Sequence, residues 1–427
     1  MSNDPRFLAT ADAIACRLAR DAVWHGARCS WTGDSMEHIG GTWQVAHRAL
    51  GGDLYGGTAG VALFLARMHR ATGERLFARV ARAALDQACA QVPGMQGGGR
   101  GGLHTGATGV SWALLRAAEW IDTPEFAERG AALLAVLQEE PVDGQALDFT
   151  AGHAGAIAAL LDLRSDADTL GLDGGRLIDF ARRHGDRLIE HATRSERGWH
   201  WPAPGAPAGS PGLCGLSHGA AGIAWALAAL HASTGDSRYR SAAAEALRYE
   251  RSWFDQGEQN WPDLRSLYDP TLGGDGKRLV YMAAWCHGAP GIGLARLATH
   301  ALTREEASAA EARAALRCTC AGLRAALAGT SASFCLCHGL AGNAELLIEA
   351  SRVFAEPDHL ALARQVGQLG LALYAEPGAP WPCGVLGGGE TPGLMLGLAG
   401  IGSFYLRLHD PTQPSMLLFG LQARPSK

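Results

Sequence analysis

No stretch of this sequence is apolar for long enough to cross a bilayer, which takes about 20 residues; the most apolar segments, such as 222–230, stop well short of that. A surplus of basic residues is also missing. Lys+Arg number 37 against 42 Asp+Glu, a formal charge of −5, which leaves no electrostatic footprint for nucleic acid or an anionic membrane. The first residues, MSNDPRFLATADAIACRLAR, interleave acids and arginines with apolar residues, so the unbroken apolar run of an export signal is absent and a cytoplasmic location is expected. Without export, the ten cysteines stay reduced and are weighed as core residues, ligands or nucleophiles before disulfides. Cys16 and Cys89, in Ala-rich helical patterns, read as small hydrophobes. Few segments alternate with period two, so strands are expected to be minor.

What the sequence does have is a large apolar fraction, 47%, with 19% charged residues over 427 positions, enough to bury a sizeable core. It also has 57 glycines, about twice the average share, and the excess is patterned. Gly-x-x-Gly followed by an apolar helical segment occurs at Gly57/Gly60, Gly106/Gly109, Gly152/Gly155, Gly219/Gly222, Gly288/Gly291, Gly339/Gly342 and Gly397/Gly400. Successive first glycines lie 46 to 69 residues apart, room for a pair of helices and their connections. Between the motifs run segments with a 3.6-residue period and one polar face, such as 76–92 and 239–254. The segments just after each motif are apolar nearly all round. Two alternating classes of helix, one buried and one amphipathic, predict an all-α fold: two concentric layers forming an (α/α)7 toroid, one domain over residues 1–427. Glycines where seven helix ends converge permit tight turns and close backbone approach. Insertions are expected as loops at 93–102, 197–212 and 260–277.

Three repeats carry a histidine directly before their first glycine: LSHG with His218, WCHG with Cys286 and His287, and LCHG with Cys337 and His338. Equivalent repeat positions converge at one mouth of the barrel, so these residues are expected together in one cleft. Thiols and imidazoles in such a cleft suit Zn²⁺, and Cys2His ligation with an open fourth position is a catalytic arrangement. Such a zinc would bind a further thiol and lower its pKa from about 8.5. The plainer alternatives are packed Cys-His-Gly turns and a hydrogen-bonded core histidine at 218. Cys335, in Cys-Leu-Cys, is a rival ligand, but strand-like alternation turns it away from Cys337.

The segments WCHGAPGIGLARL, CHGLAGN, GLSHGAAGIAWAL, YERSWFDQGEQNWPDLR and PGLMLGLAGIGSFYLRLHDPTQPSMLLF together resemble the lanthionine synthetase C family, and within it the cyclase domain of class II lanthipeptide synthetases. The resemblance runs from LYGGTAGVALFLA at 54–66 to the C-terminal residues. It implies an α/α toroid and a zinc enzyme that adds peptide cysteine thiols to dehydroalanine or dehydrobutyrine, making (methyl)lanthionine rings. Carried over residue by residue, the zinc ligands fall on Cys286, Cys337 and His338, the catalytic histidine on His218 and the family's aspartate on Asp148. For Asp148 a cap or turn role is the alternative. Two positions depart from free-standing cyclases similar to this chain. Met282 stands where they have an arginine, and His287, a second candidate for proton transfer, stands where they have a tyrosine. The resemblance implies a dehydrated precursor peptide as partner. A class II dehydratase part is missing, so a separate dehydratase or kinase-lyase protein is expected, unless the chain is an excised domain. Rival readings are a relative that adds glutathione, a zinc toroid of protein-prenyltransferase type, and a metal-free scaffold.

Overall fold

The computed structural model describes residues 4–39, 42–203, 205–269, 271, 278–329 and 333–418. An amphipathic helix, α1 (Pro5–Arg20), comes first, capped by Asp4, whose carboxylate accepts from the Arg6 N–H. Helices then follow in pairs. They are α2 (Thr58–Thr72) with α3 (Arg75–Gln91), α4 (Ala107–Trp120) with α5 (Pro124–Glu139), and α6 (His153–Arg164) with, after a single turn α7 (Ala167–Leu170), α8 (Gly174–Glu190). Next come α9 (Ala220–Thr234) with α10 (Ser237–Arg251), α11 (Ala289–Thr303) with α12 (Glu306–Leu327), and α13 (Leu340–Val353) with α14 (Pro357–Gly370). The last, α15 (Leu398–His409), packs on α1, so that chain start and chain end complete the seventh pair.

The first members of the pairs touch in cyclic order, α2, α4, α6, α9, α11, α13, α15 and back to α2, forming a closed inner ring. The expected (α/α)7 toroid of two layers is therefore what forms. Inner helices are buried on all sides: in α9 every residue from Ala220 to Leu230 is buried. Outer helices bury one stripe, as α8 does with Leu177, Phe180, Ala181, His184 and Leu188.

The second glycine of each motif has a steric reason. A Cβ on Gly109 would lie 1.7 Å from the carbonyl oxygen of Leu103, and on Gly342 the same distance from that of Leu336. The corresponding carbonyl, six residues upstream, crowds the second glycine in each of the other five repeats. The chain thus crosses the first turn of its own inner helix at backbone contact distance, which any side chain would block. Gly288 adds a conformational demand, with φ at +89°.

Strands are few, as expected, but their placement was not foreseen. Three antiparallel hairpins form: β1 (Val23–His25) with β2 (Arg28–Ser30), β3 (Thr32–Ile39) with β4 (Thr42–Ala49), and β5 (Thr193–Ser195) with β6 (Gly198–His200). The last occupies part of the segment 197–212 read as loop. The first and third are one device used twice: each ends on a tryptophan whose indole N–H donates back to the preceding outer helix, Trp31 to Leu18 O at 2.8 Å and Trp201 to Leu188 O at 2.7 Å. Of the insertion at 260–277, residues 270 and 272–277 lie outside the described residues. Among the described residues no helix is long and apolar enough to cross a membrane.

Buried charge fixes the loops above the barrel. Arg296 on α11 pairs with Glu250 on α10 at 2.7 Å and with Glu311 on α12 at 2.6 Å. The other oxygen of Glu250 accepts the Gly215 N–H at 2.8 Å. This chain of contacts ties the loop before α9 to two outer helices. A desolvated pair of this kind is held in place because either partner alone would be an uncompensated buried charge.

Candidate active site and metal centre

The loops that lead into the inner helices are stitched into a ring. In each repeat the residue two places before the first glycine faces the axis: Tyr55, His104, Thr150, Ser217, Cys286, Cys337 and Met395. Main-chain N–H groups donate from Tyr55 to His104 (2.9 Å), His104 to Thr150 (2.9 Å), Thr150 to Ser217 (3.2 Å), Cys286 to Cys337 (3.3 Å), Cys337 to Met395 (2.9 Å) and Met395 to Tyr55 (2.8 Å). Between Ser217 and Cys286 the contact is made instead by Gly215 at φ +111°, whose Cβ would stand 2.7 Å from the Cys286 carbonyl oxygen. Seven helix N-termini thus gather at one mouth, an environment that favours negative charge.

Into this mouth project the residues that the sequence singled out. One ligand atom each from Cys286, Cys337 and His338 lies within 4.8 Å of the others, and among the described residues no other such group of His, Cys, Asp and Glu occurs. Their loops are held from outside. The Asn260 side-chain amide donates to Met282 O at 2.9 Å while its oxygen accepts the Trp261 and Ala289 N–H groups, both at 2.8 Å, and Asn343 donates to Ala283 O at 2.8 Å. The Cys337 thiol donates to Cys286, and this bond, opposed by burial and aided by the nearby His338, His218 and Arg265 charges, brings the Cys286 thiol down to about 7. Cys337 goes the other way, well above the ordinary thiol value, because it keeps the proton of the pair.

Two sulfurs that already favour one thiolate, an imidazole within 4.8 Å of both, and a mouth polarised by helix N-termini fit a zinc ion, whose ligand bonds are about 2.3 Å to sulfur and about 2.0 Å to nitrogen. Cys335 does not join them. It is fully buried and hydrogen-bonds to His338, receiving the His338 backbone N–H at 3.5 Å; burial pulls His338 down but the Cys335 and Cys286 sulfurs prevail and raise it to about 9.

His218 Nδ1 lies 2.7 Å from Asp148 Oδ2. Burial disfavours the charged imidazole, but the Asp148 carboxylate outweighs it and the His218 pKa stands above 6.5. Asp148 contacts His218 with one oxygen and, as the turn carboxylate weighed for it, accepts the Ala151 N–H with the other at 2.6 Å, fixing the turn before α6. His287 sits behind, its ring centre 6.0 Å from that of His218. It is 2% exposed, and burial, with the Arg265 charge, holds its pKa at about 3. A histidine neutral throughout the physiological range is poorly suited to give up a proton there.

Tyr55 was missed by the sequence reading. Its hydroxyl donates to Cys337 Sγ at 3.1 Å, a donor to a prospective metal ligand. The signal was available, because Tyr55 holds in the first repeat the same register that Cys286 and Cys337 hold in theirs. Partners of this kind change metal affinity by about 10–100-fold, so Tyr55→Phe is expected to weaken zinc binding by that factor in competition with a chelating dye. Wild-type affinity in the variant would show the hydroxyl to be idle.

A groove of about 390 Å³ between α1 and residues 371–381 lies away from these residues.

A sequence profile of lanthionine synthetase C-like proteins matches residues 48–418. No curated protein matches the chain. Among solved structures, a nisin cyclase is similar with a TM-score of 0.58 at 17% identity, the match covering 84% of this chain and 88% of that one. A polysaccharide lyase (TM-score 0.44, 14% identity, 82% and 96% covered) and an unsaturated glucuronyl hydrolase specific for heparin (0.40, 13%, 74% and 82%) share less. The match over residues 48–418 spans all seven inner-ring motifs and all six candidate residues, and the chain belongs to the lanthionine synthetase C-like family.

Proposed function

We propose that the chain acts as a single lanthionine cyclase-like domain, adding cysteine thiols of a dehydrated precursor peptide to dehydroalanine or dehydrobutyrine to form (methyl)lanthionine rings. The observation that carries this reading is the convergence of two sulfurs and an imidazole within 4.8 Å, beside a histidine bonded to a buried carboxylate at 2.7 Å. Cys286, Cys337 and His338 would hold zinc, which when bound would supply a Lewis acid that lowers the pKa of an incoming thiol at the fourth ligand position.

The chain's own residues account for the proton. Asp148 fixes the His218 ring through Nδ1, leaving Nε2 toward the half-open cleft. His218 takes the proton released by the substrate thiol and returns one to the α-carbon once the carbon–sulfur bond has formed, so the ring closes without net gain or loss of protons. The Asp148 carboxylate favours the charged imidazole against the pull of burial, which suits the second transfer. Burial of the Cys286–Cys337 pair and of His287 keeps water from competing at the back of the cleft.

Dehydration of the precursor is assigned to a dehydratase or kinase-lyase activity distinct from this cyclase-like domain. The setting proposed is the cytoplasm, where thiols stay reduced. The test offers the purified protein two forms of one precursor peptide. The dehydrated form should lose its alkylatable thiols near neutral pH. The unmodified Ser/Thr/Cys form should pass unchanged even with ATP and Mg²⁺. Persistence of free thiols in the first case would contradict the reading, and loss of water in the second would reveal a dehydratase. Transfer of glutathione or of an allylic group instead would move the assignment to those chemistries.

A further inference from the structure

The loop that carries Cys286 and His287 is flanked by the segment that carries Asn260 and Asp263. Asp263 is 1% exposed; its N–H donates to Val280 O at 2.8 Å, and its Oδ1 accepts the Arg265 N–H at 3.1 Å, capping the short turn 264–267. The same carboxylate clamps the Arg265 guanidinium, with Nε at 3.0 Å from Oδ1 and Nη2 at 2.6 Å from Oδ2. Such a two-pronged contact fixes the plane of the guanidinium as well as its position.

The clamp holds the group against the loop that leads to Cys286. Arg265 Nη2 rests 3.9 Å from the sulfur of Met282, in the loop that runs into Cys286. Its charge bears on His218, Cys286 and His287, and the Cys286 sulfur acts on Arg265 in return. Asp263 lies 3.9 Å from His287 Nδ1, so the acid beneath the guanidinium is wedged against the same loop. Nε and Nη2 are engaged, while Nη1 donates to no described residue. About a third of the side chain is open to solvent. Asp263 alone would suffice to cap the turn, so a partly open guanidinium fixed beside the loop that leads to Cys286 calls for a further role.

We propose that Arg265 is a catalytic residue that binds the carbonyl oxygen of the dehydroamino acid and stabilises the enolate formed on addition. This rests on the thiol-addition reading above. As the thiolate sulfur bonds to the β-carbon, the alkene π pair moves onto the Cα–C–O unit and negative charge gathers on the oxygen. A fixed donor aimed there stabilises the transition state more than the ground state. His218 then protonates the α-carbon, the carbonyl re-forms and the oxygen leaves Arg265.

The product unit S–Cβ–Cα–C(=O) has the skeleton of 3-mercaptopropionate, with a carboxylate standing for the enolate. 3-Mercapto-1-propanol has the same length and no charge. Charge-assisted hydrogen bonds discriminate by about tenfold or more. Zinc-loaded wild type should therefore bind 3-mercaptopropionate at least about tenfold more tightly than the alcohol, by calorimetric titration. Arg265→Gln should lose that preference by a similar factor while keeping its zinc and its affinity for the alcohol. With a dehydrated peptide the same variant should lose kcat by more than it raises KM. Arg265→Lys, which keeps charge without the fork, should fall between.

Equal affinities for the two thiols in wild type, or a preference that survives intact in Arg265→Gln and Arg265→Lys, would overturn the proposal. If Arg265→Gln fails to hold zinc, the wild-type comparison and the Lys variant still decide it. Zinc-loaded wild type that binds neither thiol would overturn the thiol-addition reading itself, and this proposal with it.

Discussion

In a His218→Ala variant, ring closure on a dehydrated peptide is expected to run about 10²–10⁴-fold slower, the range for loss of a general acid–base group, with zinc content and helical structure unchanged. The side chain is half-exposed and its one close partner is Asp148 at 2.7 Å, so its removal leaves the ring of loops and the Cys286–Cys337–His338 set in place. Asp148→Asn is the milder companion. It keeps a hydrogen-bonding side chain but removes the charge that does most to raise the His218 pKa, leaving burial opposed chiefly by the Cys286 sulfur. The folded-state pKa should drop, so the protonated imidazole is lost at a lower pH than in wild type, and activity that depends on it should fall at lower pH as well. The assay belongs near neutrality with a no-enzyme control, because thiols add to dehydroamino acids unaided in alkali. Near-normal rates in His218→Ala would move the proton transfer to another group.

The zinc-ligand variants should behave differently. Cys286→Ala, Cys337→Ala and His338→Ala each leave two ligands where three stood, and rate and metal should disappear together. Loss of rate to the no-enzyme level is expected, a larger effect than at His218, because nothing else in the cleft is placed to lower the pKa of an incoming thiol. Free thiols counted by alkylation and mass spectrometry read the outcome, since cyclisation itself leaves the mass unchanged. A variant that keeps a wild-type rate after losing its metal would disconnect the cluster from the chemistry.

Much of this was legible in the residues because the fold is a repeat. A Gly-x-x-Gly register places Cys286 and Cys337 at equivalent points, and equivalence in a closed ring means convergence. The sequence did not convey what the ring adds across its diameter. Tyr55 reaches Cys337 from a repeat 282 positions away, and Arg265 arrives from a connecting segment with no repeat register at all. The Met282 departure looked like the loss of a positive charge, whereas a guanidinium from elsewhere in the chain lies on its sulfur. His287 stood as a second candidate beside His218 because sequence carries no burial; the structure separates them, one in the cleft beside a carboxylate and one behind it with its pKa at about 3. The hairpins β1–β2 and β5–β6 were missed since strands of three residues are too short for alternation to show; the eight-residue strands β3 and β4 were not anticipated either.

The most direct test of the central claim is the metal content of purified protein, measured by elemental analysis on wild type, Cys286→Ala and Cys337→Ala in parallel. The account predicts about one zinc per wild-type chain, from the single Cys-Cys-His group among the described residues, and little or none in either variant. Wild type without zinc, or variants that retain the full complement, would contradict it.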